Sequence, residues 1–168
     1  MLTRVLPSLL SAAVLFTCQP AGADESPSTQ SVILTLHPLA KPEIALSLED
    51  LERLPHKTIE AYFPNLGDSN KSSQWEGVPL SELTNNMGSG SGVTVEALNN
   101  YSQFIPLSDI INYDPVLAYK RDGQYMSVRH FGPLIVIYPL ANNPSLVSRD
   151  TLSKMVWQVS EITMESAE

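Results

Sequence analysis

Apolar and polar positions alternate with a period of two along much of the chain, and short stretches of helical period interrupt them. In "SVILTLHPL", Val32, Leu34 and Leu36 alternate with Ile33 and Thr35 in a β-branched run that Pro38 ends, which predicts a strand. The period then changes in "LSLEDLERLP". Leu48, Leu51 and Leu54 recur at helical spacing behind Ser47, a candidate N-cap with Asp50 on its C-terminal side, and Pro55 stops the helix. "KTIEAYF" predicts a second strand, and "PNLGDSNKSSQ" a long polar loop built from turn formers. "VPLSELTNNMG" predicts a helix with Pro79 near its first turn and Gly88 near its end.

The second half is β-rich. "GVTVEAL" and "YSQFI" flank Asn99-Asn100, residues that tolerate the positive φ of tight hairpins. "PLSDIINY" predicts a short helical turn capped by Ser108. "VLAYK" and "YMSV" flank Arg121-Asp122-Gly123-Gln124, a second hairpin signal. "PLIVIYP" is apolar at nearly every position, the pattern of a central strand buried on both faces. "MVWQVSEITM" predicts a closing strand with Val156, Gln158, Ser160 and Ile162 on one face and Trp157, Val159 and Glu161 on the other. Trp75 and Trp157 are expected in the core. No internal repeat or second composition regime appears, so the fold class expected is α+β, a single domain of mixed β-sheets with short helices.

The first residues follow a different logic. Arg4 precedes an apolar run from Leu9 to Phe16, and Ala21-Gly22-Ala23 has the small-x-small pattern of a cleavage site. The expectation is a signal peptide over 1–23, a flexible leader over 24–31 and a domain over 32–168, with export to the periplasm or beyond through a Sec-type route. The apolar run is too short for a permanent membrane span. Lipidation of Cys18 is the competing reading, and Thr17 before it is a poor match. Cys18 is the only cysteine, so cleavage after Ala23 leaves no disulfide, thiolate nucleophile or cysteine metal ligand.

Charge narrows the partners. The chain has 10 Lys and Arg against 18 Asp and Glu, a net charge of −8, and removing Arg4 makes it more acidic still. Such a surface repels phosphate backbones and anionic lipid, so neither nucleic acid nor stable membrane insertion is expected. His37, His56 and His130 have no second ligand at helical or hairpin spacing, so no metal site is expected from them. No Gly-x-Ser-x-Gly elbow or His-Glu-x-x-His helix points to a hydrolase.

The order of the segments carries more than any one of them. "WEGVPLSEL", "VTVEALNNYSQFIPLSDI", "PVLAYKRDGQYM", "FGPLIVIYP" and "MVWQVSEITM" resemble, in sequence and order, the oxidoreductase molybdopterin-binding domain, the catalytic fold of the sulfite oxidase family. The resemblance implies that fold over about residues 44–163. In the catalytic members a cysteine thiolate binds molybdenum between the segments matching "TIEAYF" and "WEGVPL". Here the interval holds Ser69, Ser72 and Ser73 and no cysteine, and a hydroxyl is a far weaker ligand than a thiolate. The family's late strand often begins Pro-x-Arg, and here it reads Pro133-Leu134-Ile135, with Arg129 and His130 just upstream. The export signal also lacks the twin-arginine pair that exported holoenzymes of this family generally need.

Two functions follow from the resemblance and these departures. One is a non-catalytic, exported descendant without molybdenum chemistry, repurposed to bind a small anion or a partner protein. The other is a periplasmic molybdopterin-dependent oxidoreductase with a cysteine-free site, molybdopterin being its cofactor. Enzyme status stays open between them. The candidate ligand-binding residues of the cleft are Tyr101, Arg121, Arg129 and His130. Their ordinary structural readings stand beside this one: Arg121 is a turn residue next to Asp122, and Arg129 with His130 a solvated pair at a strand end.

Overall fold

The computed structural model describes residues 31–63, 71–85 and 87–167. Leu34 and Leu36 of the first alternating run are buried in β1 (Val32–His37), which pairs antiparallel with β2 (Ile44–Ser47). Ser47 ends β2 and caps α1 (Leu48–Arg53), where its hydroxyl accepts from Asp50 N and the Asp50 carboxylate accepts from Ser47 N. This reciprocal capping box satisfies donors that the first helical turn leaves open, and it turns Leu48 and Leu51 into the core. β3 (Lys57–Ala61) follows, then β4 (Ser73–Pro79) and α2 (Leu80–Thr84).

β5 (Gly92–Ala97) and β6 (Ser102–Pro106) form the expected hairpin, with Asn100 at φ +64° in the turn. α3 (Leu107–Tyr113) leads into β7 (Val116–Arg121), and Asp122 and Gly123, both at positive φ, return the chain as β8 (Gln124–Tyr125). A 3-10 turn over Val128–His130 precedes the cis Gly132–Pro133 bond and β9 (Ile135–Ile137). A second 3-10 turn, Pro144–Leu146, and α4 (Arg149–Lys154) connect to β10 (Val159–Glu165).

The strands form two sheets. The first runs β2–β1–β10–β5–β6, with β1 and β10 parallel and the other pairs antiparallel. The second runs β3–β4–β7, and β7 then pairs with both β8 and β9. Both contribute to one continuous hydrophobic core that also takes Leu48, Leu51, Leu80 and Ile110 from the helices. A single α+β domain of mixed sheets and short helices is what the side-chain pattern predicts, and it is what the chain forms.

Several local expectations change. "WEGVP" belongs to strand β4, so the helix after it begins only at Leu80, with Pro79 as its N-cap. α3 is capped by Pro106 without a side-chain hydrogen bond, not by Ser108. β9 is buried at all three positions and has partners on both sides, pairing with β7 on one and with the 156–157 segment on the other through an antiparallel Ile135–Trp157 bridge and the Val136 N–H to Val156 carbonyl bond at 2.9 Å. β10 begins at Val159 instead of Met155, because Gln158 adopts a left-handed conformation at φ +57°. A bulge between Val159 and Glu161 follows, so Val159, Ile162 and Met164 face the core and the expected alternation is broken. β2 and α4 are elements that the pattern did not announce.

Candidate functional site

The aromatic residues converge. Trp75, wholly buried on β4, donates from its indole Nε1 to the Ala61 carbonyl at 2.9 Å, which clamps β4 to the end of β3. Phe63, just beyond that strand, packs edge-on against Trp75 at 6.4 Å, Trp157 at 6.2 Å and Phe131 at 5.8 Å between ring centroids. Phe131 meets Trp157 at 5.7 Å and 87°, and Tyr101 stacks on Trp157 at 6.5 Å and 17°. These offset and edge-to-face arrangements are the favoured geometries of aromatic quadrupoles.

Gln158 fixes the array. Its backbone N–H donates to the Phe131 carbonyl at 3.1 Å, its carbonyl accepts from Leu98 N at 2.9 Å, and its side-chain Nε2 donates to the Val128 carbonyl at 2.7 Å. A non-glycine residue at positive φ is strained by about 1–3 kcal/mol, and three tertiary hydrogen bonds hold it there. They tie the β5–β6 turn, the 128–131 turn and the start of β10 into one unit.

The four sequence-predicted residues divide. Tyr101, two-fifths exposed, donates its hydroxyl to the Ser153 carbonyl at 3.1 Å and presents its ring beside Trp157. Arg129 and His130 stand exposed on the turn that carries Phe131 into the array, and His130 Nδ1 shares a hydrogen bond with Ser127 Oγ at 2.9 Å. Arg121 lies at the opposite end of the aromatic chain. Its guanidinium sits 5.4 Å from the Trp75 ring, its Nε donates to Ser73 Oγ at 2.9 Å, and Asp122 Oδ2 lies 3.7 Å away. Those contacts make Arg121 a structural clamp on β4. Phe63, Phe131 and Gln158 were not among the sequence candidates. An apolar residue beside a loop and a polar residue inside an apparent strand carry no local signal of convergence.

Comparison with known proteins places the fold. Superposition on the sulfane dehydrogenase SoxCD from Paracoccus pantotrophus gives a TM-score of 0.64 at 19% identity, covering 86% of this chain. The chain spans only 40% of that protein's length, so the likeness is one of fold. A search of curated proteins returns no significant relative. The family model of the oxidoreductase molybdopterin binding domain matches residues 23–142, and the chain belongs to that family.

The described side chains near the family's cofactor positions are mostly apolar. The resemblance places a thiolate after the segment ending at Phe63 and a cation two residues beyond Pro133. In the fold, Phe63, which precedes the first of these points, and Phe131, which precedes the second, pack edge-on at 5.8 Å. Ile135, at the cation's position, is completely buried. Of the serines in the thiolate interval, Ser69 lies outside the described residues, and the Ser73 hydroxyl is engaged by Arg121. Among the described residues no three His, Cys, Asp or Glu side chains come close enough to share a metal ion. No helix among them is long and apolar enough to cross a membrane.

Proposed function

We propose that this protein is an exported member of its family that has kept the molybdopterin-binding fold without molybdenum catalysis, and that the surface around the aromatic array binds a small anion or a partner protein. The observation that carries this reading is the contact of Phe63, Phe131 and Trp157 beside the points where the family's thiolate and cofactor cation would be needed. The donor set agrees, since a chain whose only cysteine is Cys18 has no thiolate to offer from the domain. Arg129 and His130 supply the positive charge and hydrogen-bond donors for an anion, on a protein whose net charge is −8. Family membership itself supports the second reading, a periplasmic molybdopterin-dependent oxidoreductase in which the pterin alone would hold the metal.

The deciding experiment is metal and pterin content, by elemental mass spectrometry and the fluorescence of oxidised pterin, on protein made in a host that synthesises molybdenum cofactor. The expected result is neither molybdenum nor pterin. About one equivalent of molybdenum per chain would overturn the cofactor-free reading. Sequencing the N-terminus of the same exported protein should return Asp24 as the first residue, and an intact Met1 would overturn export by cleavage.

A further inference from the structure

The loop that joins α2 to β5, residues 85–91, has carbonyls engaged at both ends and amides open in the middle. The Met87 carbonyl accepts from Leu39 N at 2.8 Å and the Ser91 carbonyl from Leu107 N at 2.8 Å, while Ser91 N donates to the Glu165 carbonyl at 2.9 Å. Between these ties the N–H groups of Gly88, Ser89 and Gly90 meet no acceptor among the described residues. Gly88 sits at φ +104°, and successive main-chain amides around a residue of positive φ are the ordinary setting of an anion-binding concavity.

A cavity of about 360 Å³ opens between this loop and the connection from β1 to β2. Its volume falls within the range of small-molecule sites, roughly 300–1,000 Å³. Gly88, Ser89 and Gly90 line it on one side and Lys41 on the other, with Asn85 and Leu107 between. Lys41 is the only charged side chain among the described residues that line the cavity, and none of them is acidic. Three open amides, the Ser89 hydroxyl and an ammonium therefore give it an excess of hydrogen-bond donors and positive charge. The donors are also held in place. The Leu39–Met87 bond ties the connection that carries Lys41 to the loop, and the two bonds of Ser91 fix the other end of the loop to α3 and β10, so little ordering remains for a ligand to impose. The net charge of −8 repels anions from the molecule as a whole, so an anion held here is held by these local donors.

We infer that this cavity binds a tetrahedral oxyanion, a phosphate or sulfate group, with the amides of residues 88–90 and the Ser89 hydroxyl donating to its oxygens and Lys41 opposing its charge. Hydrogen bonds from main-chain amides and an ammonium to an ionised oxygen are the stronger, charge-assisted kind. The site lies at the far end of β10 from Trp157 and the aromatic array, and does not depend on the reading of Arg129 and His130.

The test follows the backbone amide resonances of the full chain by NMR during titration with sodium sulfate, sodium phosphate and, at matched ionic strength, sodium chloride. Sulfate and phosphate should move the amide protons of Gly88, Ser89 and Gly90 downfield and saturably, and chloride should not. Lys41→Gln should weaken both oxyanions about tenfold, the loss expected for one charge-assisted contact. Lys71→Gln removes the same charge from the other sheet's side of the molecule and should leave the affinity unchanged. Both lysines are exposed, so thermal melting should report folded variants. Equal weakening by the two substitutions, equal shifts with chloride, or no saturable shift in the loop would overturn the inference. Glycerol 3-phosphate separates the two sources of the group: tighter binding than inorganic phosphate would assign an organic monoester, and equal or weaker binding the free ion, each in support of the site. Oxyanion shifts confined to Arg129 and His130 would sink this site and leave the small-anion reading of the aromatic surface standing, whereas shifts confined to residues 88–90 would support this site and count against that reading.

Discussion

Gly77 and Gly123 show how differently a glycine can be required. A Cβ on Gly77 would collide with the Leu117 carbonyl and Ala118 Cα, because a bulge draws β4 tightly onto β7 at that point. A Cβ on Gly123 would meet open space, and only its φ of +77° resists one. Gly77→Ala should therefore cost about 3 kcal/mol, the upper end of overpacking penalties. Gly123→Ala should cost about 1 kcal/mol for a left-handed conformation without glycine. Urea denaturation of both variants checks the contrast, and equal losses would show that β4 and β7 can separate. The sequence marks Gly77 only as part of "GVPL", whereas Gly123 stands in a recognisable Asp-Gly turn. A close approach of two strands is a tertiary event with no local signature.

α1 shows what an element owes to its own sequence and to its neighbours. Its capping box was legible, since Ser47 and Asp50 stand at the spacing that makes one. Ser47→Ala should lower stability by about 1 kcal/mol at neutral pH. The Ser47 hydroxyl, then its backbone N–H, hold the Asp50 carboxyl below its ordinary range. A depressed folded value gives stability that is present above the unfolded pKa, about 3.9, and lost as pH falls through the folded value. The denaturation curves of the two proteins should thus converge in acid, and a constant gap would show that Asp50 is not coupled to the cap. The helix is also tied to the second sheet by contacts that no local pattern announces. Lys120 on β7 donates to Glu52 of α1 at 3.2 Å and to Glu76 of β4 at 3.0 Å, and Tyr125 donates to Glu52 at 2.5 Å. Burial opposes the Lys120 charge, yet these bonds hold it protonated above the ordinary lysine range. β10 makes the reverse case: its apolar and polar residues suggest one unbroken alternation, and the left-handed turn at Gln158 resets it.

For the whole molecule, the core sets an alkaline limit. Burial, reinforced by Glu76, pushes the Tyr119 phenol up to about 12, and burial with the Asp109 charge raises Tyr138 further. Tyr138 donates to Asp109 Oδ2 at 3.0 Å, and Lys154 donates to the same oxygen at 3.0 Å. Both phenols have folded values above the unfolded value of about 10, so the stability they contribute is complete below that pH and is lost as pH rises beyond it. For Tyr119 the window runs from about 10 to about 12. Tyrosinate absorbance followed together with circular dichroism should show these two ionising only as the fold is lost. Ionisation of all six tyrosines ahead of unfolding would contradict that burial.

The sequence by itself determined whatever depends on neighbours along the chain: the β1 strand, the capped α1, both hairpins, the α+β class and a domain without a thiol. It also brought Tyr101, Arg129 and His130 forward as candidates; Tyr101 stacks on Trp157, and Arg129 and His130 stand exposed on the turn that precedes Phe131. Only the tertiary structure decided that Arg121 belongs elsewhere, that β9 flanks β7, that Phe63 meets Phe131, and that Lys41 faces the 88–90 loop across a cavity. Local patterns encode which face of a segment prefers burial and where the backbone can turn. They do not encode which distant segment covers that face, because that choice is settled by the packing of the whole core at once.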